Sequence, residues 1–276
     1  MSSDGSVFTS DNLDEYLKEV AKEYRKMGGK FVPAEIILIG GAAVIANYGF
    51  REMTTDIDAI IHASSAMKDA INVVGDRHNL QNGWLNTDFL RTSSYSSKLE
   101  QYSTYYRTFG GVMSVRTIRA EYLIAMKLRS GRLYKNDRSD IAGILAEHEK
   151  RGEPISMNRI DQAIINLYGG WEQIPESSQT FLREIIEGGK YQDEYGIVRQ
   201  EEVNNKKMLI EFEDQYPGVT NSENVDSIIG NLKRKHQNRK QTIDLLRHLK
   251  QEEQEIFCTR HTMYNSASST SMESCF

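Results

Sequence analysis

Asp56 and Asp58, separated by a single residue, are the side chains in this sequence whose type and spacing most suggest chemistry. In a β-strand alternate residues face the same side, so both carboxylates would lie on one face about 7 Å apart. Two like charges in this position repel each other, and a divalent cation relieves the repulsion. Such oxygen ligands suit Mg²⁺, which also takes phosphate oxygens. The alternative is the solvated face of a half-exposed strand, and the pair alone does not decide between them.

A pair of glycines, Gly40 and Gly41, precedes the aspartates and is a candidate phosphate site. The pair ends the apolar run 35–39 and precedes the alanine-rich run 42–46, an order that predicts a strand, a glycine turn and a helix. Amides at glycines can approach a phosphate closely, and the amino terminus of a helix adds positive potential. A plain tight turn is the alternative interpretation of the pair.

These residues together carry a family resemblance. They resemble the first motif of the nucleotidyltransferase superfamily, in the bacterial branch that includes the AbiEii-type toxins of abortive-infection systems. Later parts of the chain are similar to later motifs of that branch, and the resemblance covers roughly residues 31–146. The segments that carry it are 38–43, 48–51, 54–58, 84–86 and 121–141.

The resemblance implies a role for each residue of the first motif. Asp56 and Asp58 would hold Mg²⁺ on an NTP, and the glycine pair would seat the phosphates. Gly41 stands where many members have serine, which changes one phosphate contact. Arg51 and Thr54 would either contact phosphates or order the loop.

Lys127 and Asp140 are the candidate residues of the later motifs. Lys127 lies in an otherwise apolar helix, followed one turn later by small residues that leave room for a ligand. It would act as a point charge on phosphates, unless it is a surface lysine of an amphipathic helix. Asp140 borders the apolar face of the next helix and would orient Lys127 or help to activate the acceptor. We rank it above Asp137, whose place in the first turn suits the helix dipole.

A second feature, besides Gly41, departs from the superfamily pattern. Many nucleotidyltransferases carry a third carboxylate on a later strand, but the strand 112–117 contains none. Asp88 is a weak substitute. The missing carboxylate and Gly41 together keep an alternative open, in which the chain is a catalytically inactive module that senses nucleotides or binds proteins.

The remaining pattern predicts an α/β (α+β) fold, a nucleotidyltransferase-type mixed sheet flanked by helices, with an α-helical C-terminal half. A hairpin with Gly110-Gly111 at its turn is expected to complete the sheet. We expect a core over 1–150, a helical region over 151–254 and a disordered tail over 255–276. The polar stretch 188–200 lacks periodicity and predicts a linker or flexible loop.

Composition bounds the location and the partners. The first thirty residues are too charged for a secretory signal, and no apolar run suits a membrane span, so we expect a cytoplasmic protein. The net charge of -5 leaves any nucleic-acid binding to a local patch. One basic stretch is such a candidate, although a solvated helix face is the alternative. Its candidate RNA contacts are Lys233, Arg234, Lys235, Arg239 and Lys240.

The functional hypothesis is therefore Mg²⁺-dependent transfer of a nucleotidyl group from an NTP to an acceptor. If the resemblance extends to biology, the acceptor is a tRNA, another RNA or a protein hydroxyl. The protein would then be a bacterial toxin of a toxin-antitoxin or phage-defence system, with a cognate antitoxin as partner.

Overall fold

The computed structural model describes residues 7–221 and 224–241 of the chain. These residues fall into two compact units, divided between Lys206 and Lys207. The candidate residues for chemistry all lie in the first unit, and the basic stretch lies in the second. The predicted domain boundary near residue 150 stays a prediction, and the predicted tail over 255–276 lies outside the described residues.

The first unit is built on a five-stranded mixed sheet with the strand order β3-β2-β1-β5-β4. The central strand β1 pairs antiparallel with β2 and parallel with β5. The hairpin β4–β5 is antiparallel, and β3 adds parallel to β2. The strands are β1 (Ala34–Leu38), β2 (Ile57–His62), β3 (Leu85–Asn86), β4 (Ser103–Phe109) and β5 (Met113–Ile118).

Helices flank this sheet and continue beyond it, as the sequence predicted. Their bounds are α1 (Ser10–Tyr24), α2 (Gly40–Asn47), α3 (Ala66–His78), α4 (Ala120–Ser130), α5 (Asp137–Lys150), α6 (Met157–Tyr168), α7 (Glu176–Gly188) and α8 (Tyr191–Gln215). A further helix over 225–241, which we label α9, lies in the second unit. The predicted fold class is confirmed. None of the helices described is both long and apolar enough to cross a membrane.

The helix α4 lies at the centre of the helical layer. Its residues from Ala120 to Leu128 are all buried, because α5, α6 and α7 pack around it. A helix that is apolar on all sides must be enclosed in this way to remove its surface from water. Lys127 is therefore carried into the interior by the helix to which it belongs.

The prediction of a linker over 188–200 is wrong, because α8 begins at Tyr191. The sequence predicts a linker only over the first part of this helix, residues 191–200, since the face that it turns inward is largely polar. Tyr195, Arg199 and Glu202 each hydrogen-bond to a loop or a helix end of the first unit. Hydrophobic periodicity does not reveal a helix whose buried face is held by hydrogen bonds.

Candidate functional site

The pairing of β1 with β2 brings the glycine pair to the aspartates. The two strands are antiparallel, so the end of β1 and the start of β2 meet at one edge of the sheet. The amide of Ile39 donates to the carbonyl of Asp58 at 2.9 Å. Gly40 has a φ of +57°, which favours glycine, and a Cβ there would lie 3.4 Å from Asp58 Oδ2. The amino end of α2 and this carboxylate therefore share one site.

The two aspartates differ in their environment. Asp56 is exposed in the bend before β2, whereas Asp58 lies within the strand and is partly buried. Burial, and secondly the negative charge of Asp56, raise the pKa of Asp58 above its usual value. Lys127 and Lys135 act in the opposite direction but do not outweigh these two effects. A divalent cation beside the two carboxylates would offset both effects.

Gly41 leaves room for two side chains from the loop that follows α2. A Cβ at this position would lie 2.6 Å from Thr54 Oγ1 and 2.7 Å from Arg51 Nη2. Real Cβ atoms do not approach other atoms so closely, so a side chain at position 41 would displace both of them. The guanidinium of Arg51 and the hydroxyl of Thr54 thus occupy the space beside the glycine where the sequence predicted a phosphate contact.

Lys127 is locked between two buried carboxylates of α5. Its ammonium lies 3.1 Å from Asp137 Oδ1 and 2.7 Å from Asp140 Oδ2. Only 9% of the lysine side chain is exposed, so little of it faces solvent. Asp137, which sequence analysis ranked below Asp140, is the more deeply buried of the two and contacts the same ammonium.

Asp140, Lys127 and Asp137 form a row of alternating charges, and an arginine lies at each end of this row. Arg51 Nη1 lies 2.5 Å from Asp140 Oδ2, and Arg132 donates to both carboxylate oxygens of Asp137. Burial alone would raise the pKa of Asp137, but Lys127 and then Arg132 outweigh it and hold the pKa below its usual value. Three cations thus alternate with two anions, and the row carries one excess positive charge.

Sequence reasoning placed the loop 131–136 within a segment that resembles the family but gave no role to its two cations, Arg132 and Lys135, which the structure brings near the aspartates. Arg132 and Lys135 both interact electrostatically with Asp58. Burial, followed by the nearby Arg132, lowers the pKa of Lys135, while Asp56 counteracts this effect. The signal that could have found them is the short basic loop that follows the buried helix α4.

The expected position of a third carboxylate, on a later strand, holds no acid in the part of the chain that the structure describes. The described strand β5 contains no Asp or Glu, and its Thr117 is buried, with its hydroxyl donating to Asn47. Asp88 is exposed in a short 3₁₀ turn, where its amide donates to Asn86 Oδ1. Asn86 itself pairs in register with Asp58 across β2 and β3. Asp88 therefore follows the neighbouring strand, and its role stays open.

The donor set of the aspartates fits a hard divalent cation. Among the described residues, no three His, Cys, Asp or Glu side chains form a metal-binding cluster. Asp56 and Asp58 provide two carboxylates, and burial and then the negative charge of Asp56 raise the pKa of Asp58. Mg²⁺ is commonly held by one or two carboxylates with substrate phosphates completing its shell.

The candidate RNA contacts lie on α9 in the second unit. Arg234, Lys235, Arg239 and Lys240 are exposed, and Lys233 is partly buried. Arg234 also hydrogen-bonds within its own helix, to Asn231 and Gly230. An exposed cationic helix face is suited to phosphates, and RNA contact at this helix stays a prediction.

A mixed sheet that places a glycine turn and a helix end beside paired aspartates defines a nucleotidyltransferase type of protein. Over residues 15–164 the chain matches a family described as "Nucleotidyltransferase of unknown function (DUF6036)". The match spans more than half of the chain, and the chain belongs to this family. Comparisons with curated proteins and with solved structures gave no match. The similarity to AbiEii-type toxins stays a prediction.

Proposed function

We propose that the protein transfers a nucleotidyl group from an NTP to an RNA or protein acceptor in a Mg²⁺-dependent reaction. The observation that carries this proposal is the position of Asp58. Its carboxylate lies beside Gly40 at the amino end of α2, and its pKa is raised by burial and by Asp56. Two carboxylates that repel each other, placed beside a glycine turn at the amino end of a helix, suit a metal-bound nucleotide.

In this proposal Asp56 and Asp58 hold the Mg²⁺ ion. The ion would supply positive charge that polarises the phosphoryl oxygens and offsets the charge of the triphosphate. The protein contributes two oxygen ligands and leaves the remaining coordination positions to phosphate and water.

The triphosphate is bound by the glycine turn and the side chains beside it. Gly40 and Gly41 offer the amides of the first turn of α2, which have no acceptor within the helix. Arg51 Nη2 has no hydrogen-bond acceptor among the residues described and lies beside Gly41, with Thr54 Oγ1 on the same side. A guanidinium held in this position is well suited to a phosphate.

Lys127 and Asp140 act on the phosphates through Arg51. Asp140 already contacts two cations, Lys127 at 2.7 Å and Arg51 at 2.5 Å, so its role is to orient them. Lys127 fixes Asp140 from the interior and adds a positive charge behind the site. The excess charge of the row favours an anionic substrate.

The acceptor is proposed to be RNA, such as a tRNA, or a protein hydroxyl. The cationic surface of α9 supports RNA, because phosphate contacts supply most of the non-specific affinity for nucleic acid. In the proposed biological setting, the protein is a toxin of a bacterial defence system that a cognate antitoxin restrains.

The experiment that tests this proposal uses purified protein with Mg²⁺, each of the four NTPs labelled at the α-phosphate, and total RNA or cell extract. The Asp56→Ala/Asp58→Ala double variant is the matched control. Label that the wild type alone transfers to RNA or to protein would establish nucleotidyl transfer and identify the acceptor class.

Two other outcomes are informative. NTP binding without transfer would favour the alternative, an inactive module that senses nucleotides or binds proteins. Equal Mg²⁺ and NTP binding by the wild type and the double variant would contradict the proposed metal site. The toxin role is tested separately, by the viability of cells that express each protein and by co-purification of an antitoxin.

A further inference from the structure

The helix α5, which carries Asp137 and Asp140, begins without a capping side chain of its own. Its N-cap residue is Asn136, and that side chain makes no capping hydrogen bond. Instead, Asn136 Oδ1 accepts a hydrogen bond from Arg199 of α8 at 2.5 Å. The first amides of a helix have no acceptor within it, so another group must satisfy them.

Glu202 of α8 takes the place of the missing cap. Its Oε1 accepts from the amides of Arg138 at 2.9 Å and Ser139 at 3.2 Å, the second and third residues of α5. Its Oε2 accepts from the Ser139 hydroxyl at 2.5 Å. An N-cap side chain normally serves these same amides, and a carboxylate there is also favoured by the helix dipole. The residue is 2% exposed, so the contact is shielded from water.

Three further side chains on the same face of α8 hold the segments around the site. Tyr195 donates to the carbonyl of Phe50 at 2.9 Å, next to Arg51. Asn205 donates to the carbonyl of Leu133 at 2.6 Å, in the loop that carries Arg132 and Lys135. Tyr195, Arg199, Glu202 and Asn205 recur at helical spacing. They tie α8 to Phe50, to the loop 131–136 and to the start of α5.

The first turn of α5 determines where the row of charges lies. Asp137 and Asp140 are three residues apart, and both reach Lys127 from this turn. A shift of the turn would therefore move both carboxylates and the Arg51 guanidinium that Asp140 holds.

We propose that Glu202 is a positioning residue of the nucleotide site: it fixes the first turn of α5, and through Asp140 it fixes Arg51 beside Gly41. This inference rests on the proposed function. It assigns a role to a helix that lies beyond the segment matched by the family, residues 15–164. The proposed nucleotide site then needs a residue from α8 as well as the family core.

The choice of variants follows from the contacts of Glu202. In Glu202→Gln the amide oxygen can keep both backbone contacts, and the amide nitrogen can donate to the Ser139 hydroxyl, which also accepts. Glu202→Ala removes all three contacts. Glu202→Asp keeps the carboxylate but shortens its reach. Asp193→Asn, at an exposed carboxylate on the same helix, is the matched control.

The experiment measures the dissociation constant of full-length protein for the NTP that the wild type binds best among ATP, GTP, CTP and UTP, with Mg²⁺. Thermal unfolding of each variant sets a temperature at which all are folded. We expect Glu202→Ala to bind the NTP roughly tenfold more weakly, because the loss of a residue that orients ligand-binding residues typically has an effect of this size. The dissociation constant of Glu202→Asp should lie between those of Glu202→Ala and the wild type. The dissociation constants of Glu202→Gln and Asp193→Asn should equal that of the wild type.

The outcomes separate this inference from the proposed function. If Glu202→Ala loses thermal stability but binds the NTP as tightly as the wild type, Glu202 is only a structural cap and the inference fails. Glu202→Asp takes the place of Glu202→Ala in this comparison if Glu202→Ala does not fold. If the wild type itself binds no NTP, the proposed function fails and the inference falls with it. Weaker binding that Glu202→Gln restores supports the positioning role.

Discussion

Arg51 and Asp140 form an ion pair with 2.5 Å between Nη1 and Oδ2, although 89 positions separate them in the chain. The pair joins the loop after α2 to the first turn of α5, so the phosphate side of the proposed site is attached to the helical layer. Asp140 also contacts Lys127 at 2.7 Å. The placement of the Arg51 guanidinium, whose side chain is 12% exposed, thus depends on the buried charges of Asp140 and Lys127.

A side chain at position 41 is expected to weaken NTP binding. In Gly41→Ala the new Cβ would meet Arg51 Nη2 and Thr54 Oγ1, both of which can move aside. Losing one charge-assisted hydrogen bond of about 1.5 kcal/mol corresponds to roughly tenfold in the dissociation constant. The measurement is NTP titration with Mg²⁺. Gly49→Ala is the control, since a Cβ there meets no atom within 4 Å, and equal affinities for both variants would contradict the expectation.

Removing the buried ammonium of Lys127 is expected to destabilise the protein. Lys127→Met leaves Asp137 and Asp140 buried with one cation each, and the loss of one partner from a buried ion pair typically costs about 3–5 kcal/mol. We expect Lys127→Met to lower the free energy of unfolding by about 3 kcal/mol, at the lower end of this range, because Arg51 and Arg132 remain. The free energy of unfolding in urea measures it. Lys68→Met, at an exposed lysine, should change it by less than about 0.5 kcal/mol.

Mg²⁺ is expected to stabilise the wild type but not Asp58→Asn. The pKa of Asp58 is higher in the folded protein than in the unfolded chain. Without a cation, ionisation of Asp58 therefore lowers the free energy of unfolding at a pH above the folded-state pKa. This loss disappears as the pH falls below the pKa of the unfolded chain. Asp58→Asn should therefore raise the Tm at neutral pH without Mg²⁺. Mg²⁺ at about ten times its Kd should stabilise the wild type by about 1.4 kcal/mol.

Thermal unfolding with and without Mg²⁺ tests this difference. Asp76→Asn, at an exposed carboxylate on α3, should respond to Mg²⁺ as the wild type does. If Mg²⁺ raises the Tm of Asp58→Asn as much as it raises the Tm of the wild type, the ion binds at another site.

Glu202 is expected to make stability depend on pH near neutrality. Burial raises the pKa of Glu202 to about 7 from 4.5, even though its hydrogen bonds to Ser139 lower it. A folded-state pKa above the unfolded one gives stability that is complete below the unfolded pKa and is lost as the pH rises through about 7. Glu202→Gln removes this dependence.

The measurement is the free energy of unfolding of both proteins between pH 5 and pH 8. As the pH rises, the free energy of unfolding of Glu202→Gln should increase relative to that of the wild type, by at most roughly 3 kcal/mol. Asp193→Asn should follow the wild type throughout. Parallel curves for the wild type and Glu202→Gln would mean that Glu202 has an ordinary pKa.

The sequence by itself determined the local parts of this protein. The apolar run before Gly40 and the alternating residues around Asp58 mark β1 and β2, because hydrophobic periodicity and glycine turns act over a few residues. The absence of a carboxylate on β5 is also visible in the sequence. These local signals sufficed for the fold class and for the motif that the family match covers.

Only the tertiary structure decided which charges meet. Lys127 was predicted to contact phosphates and Asp137 to favour the helix dipole, but the packing of α5 against α4 places the two in contact in the interior. Glu202 contacts the start of α5 through hydrogen bonds to Arg138 and Ser139, and such contacts leave no mark in the hydrophobic periodicity of α8. Partners of buried polar groups are set by long-range packing, which residue spacing along the chain does not encode.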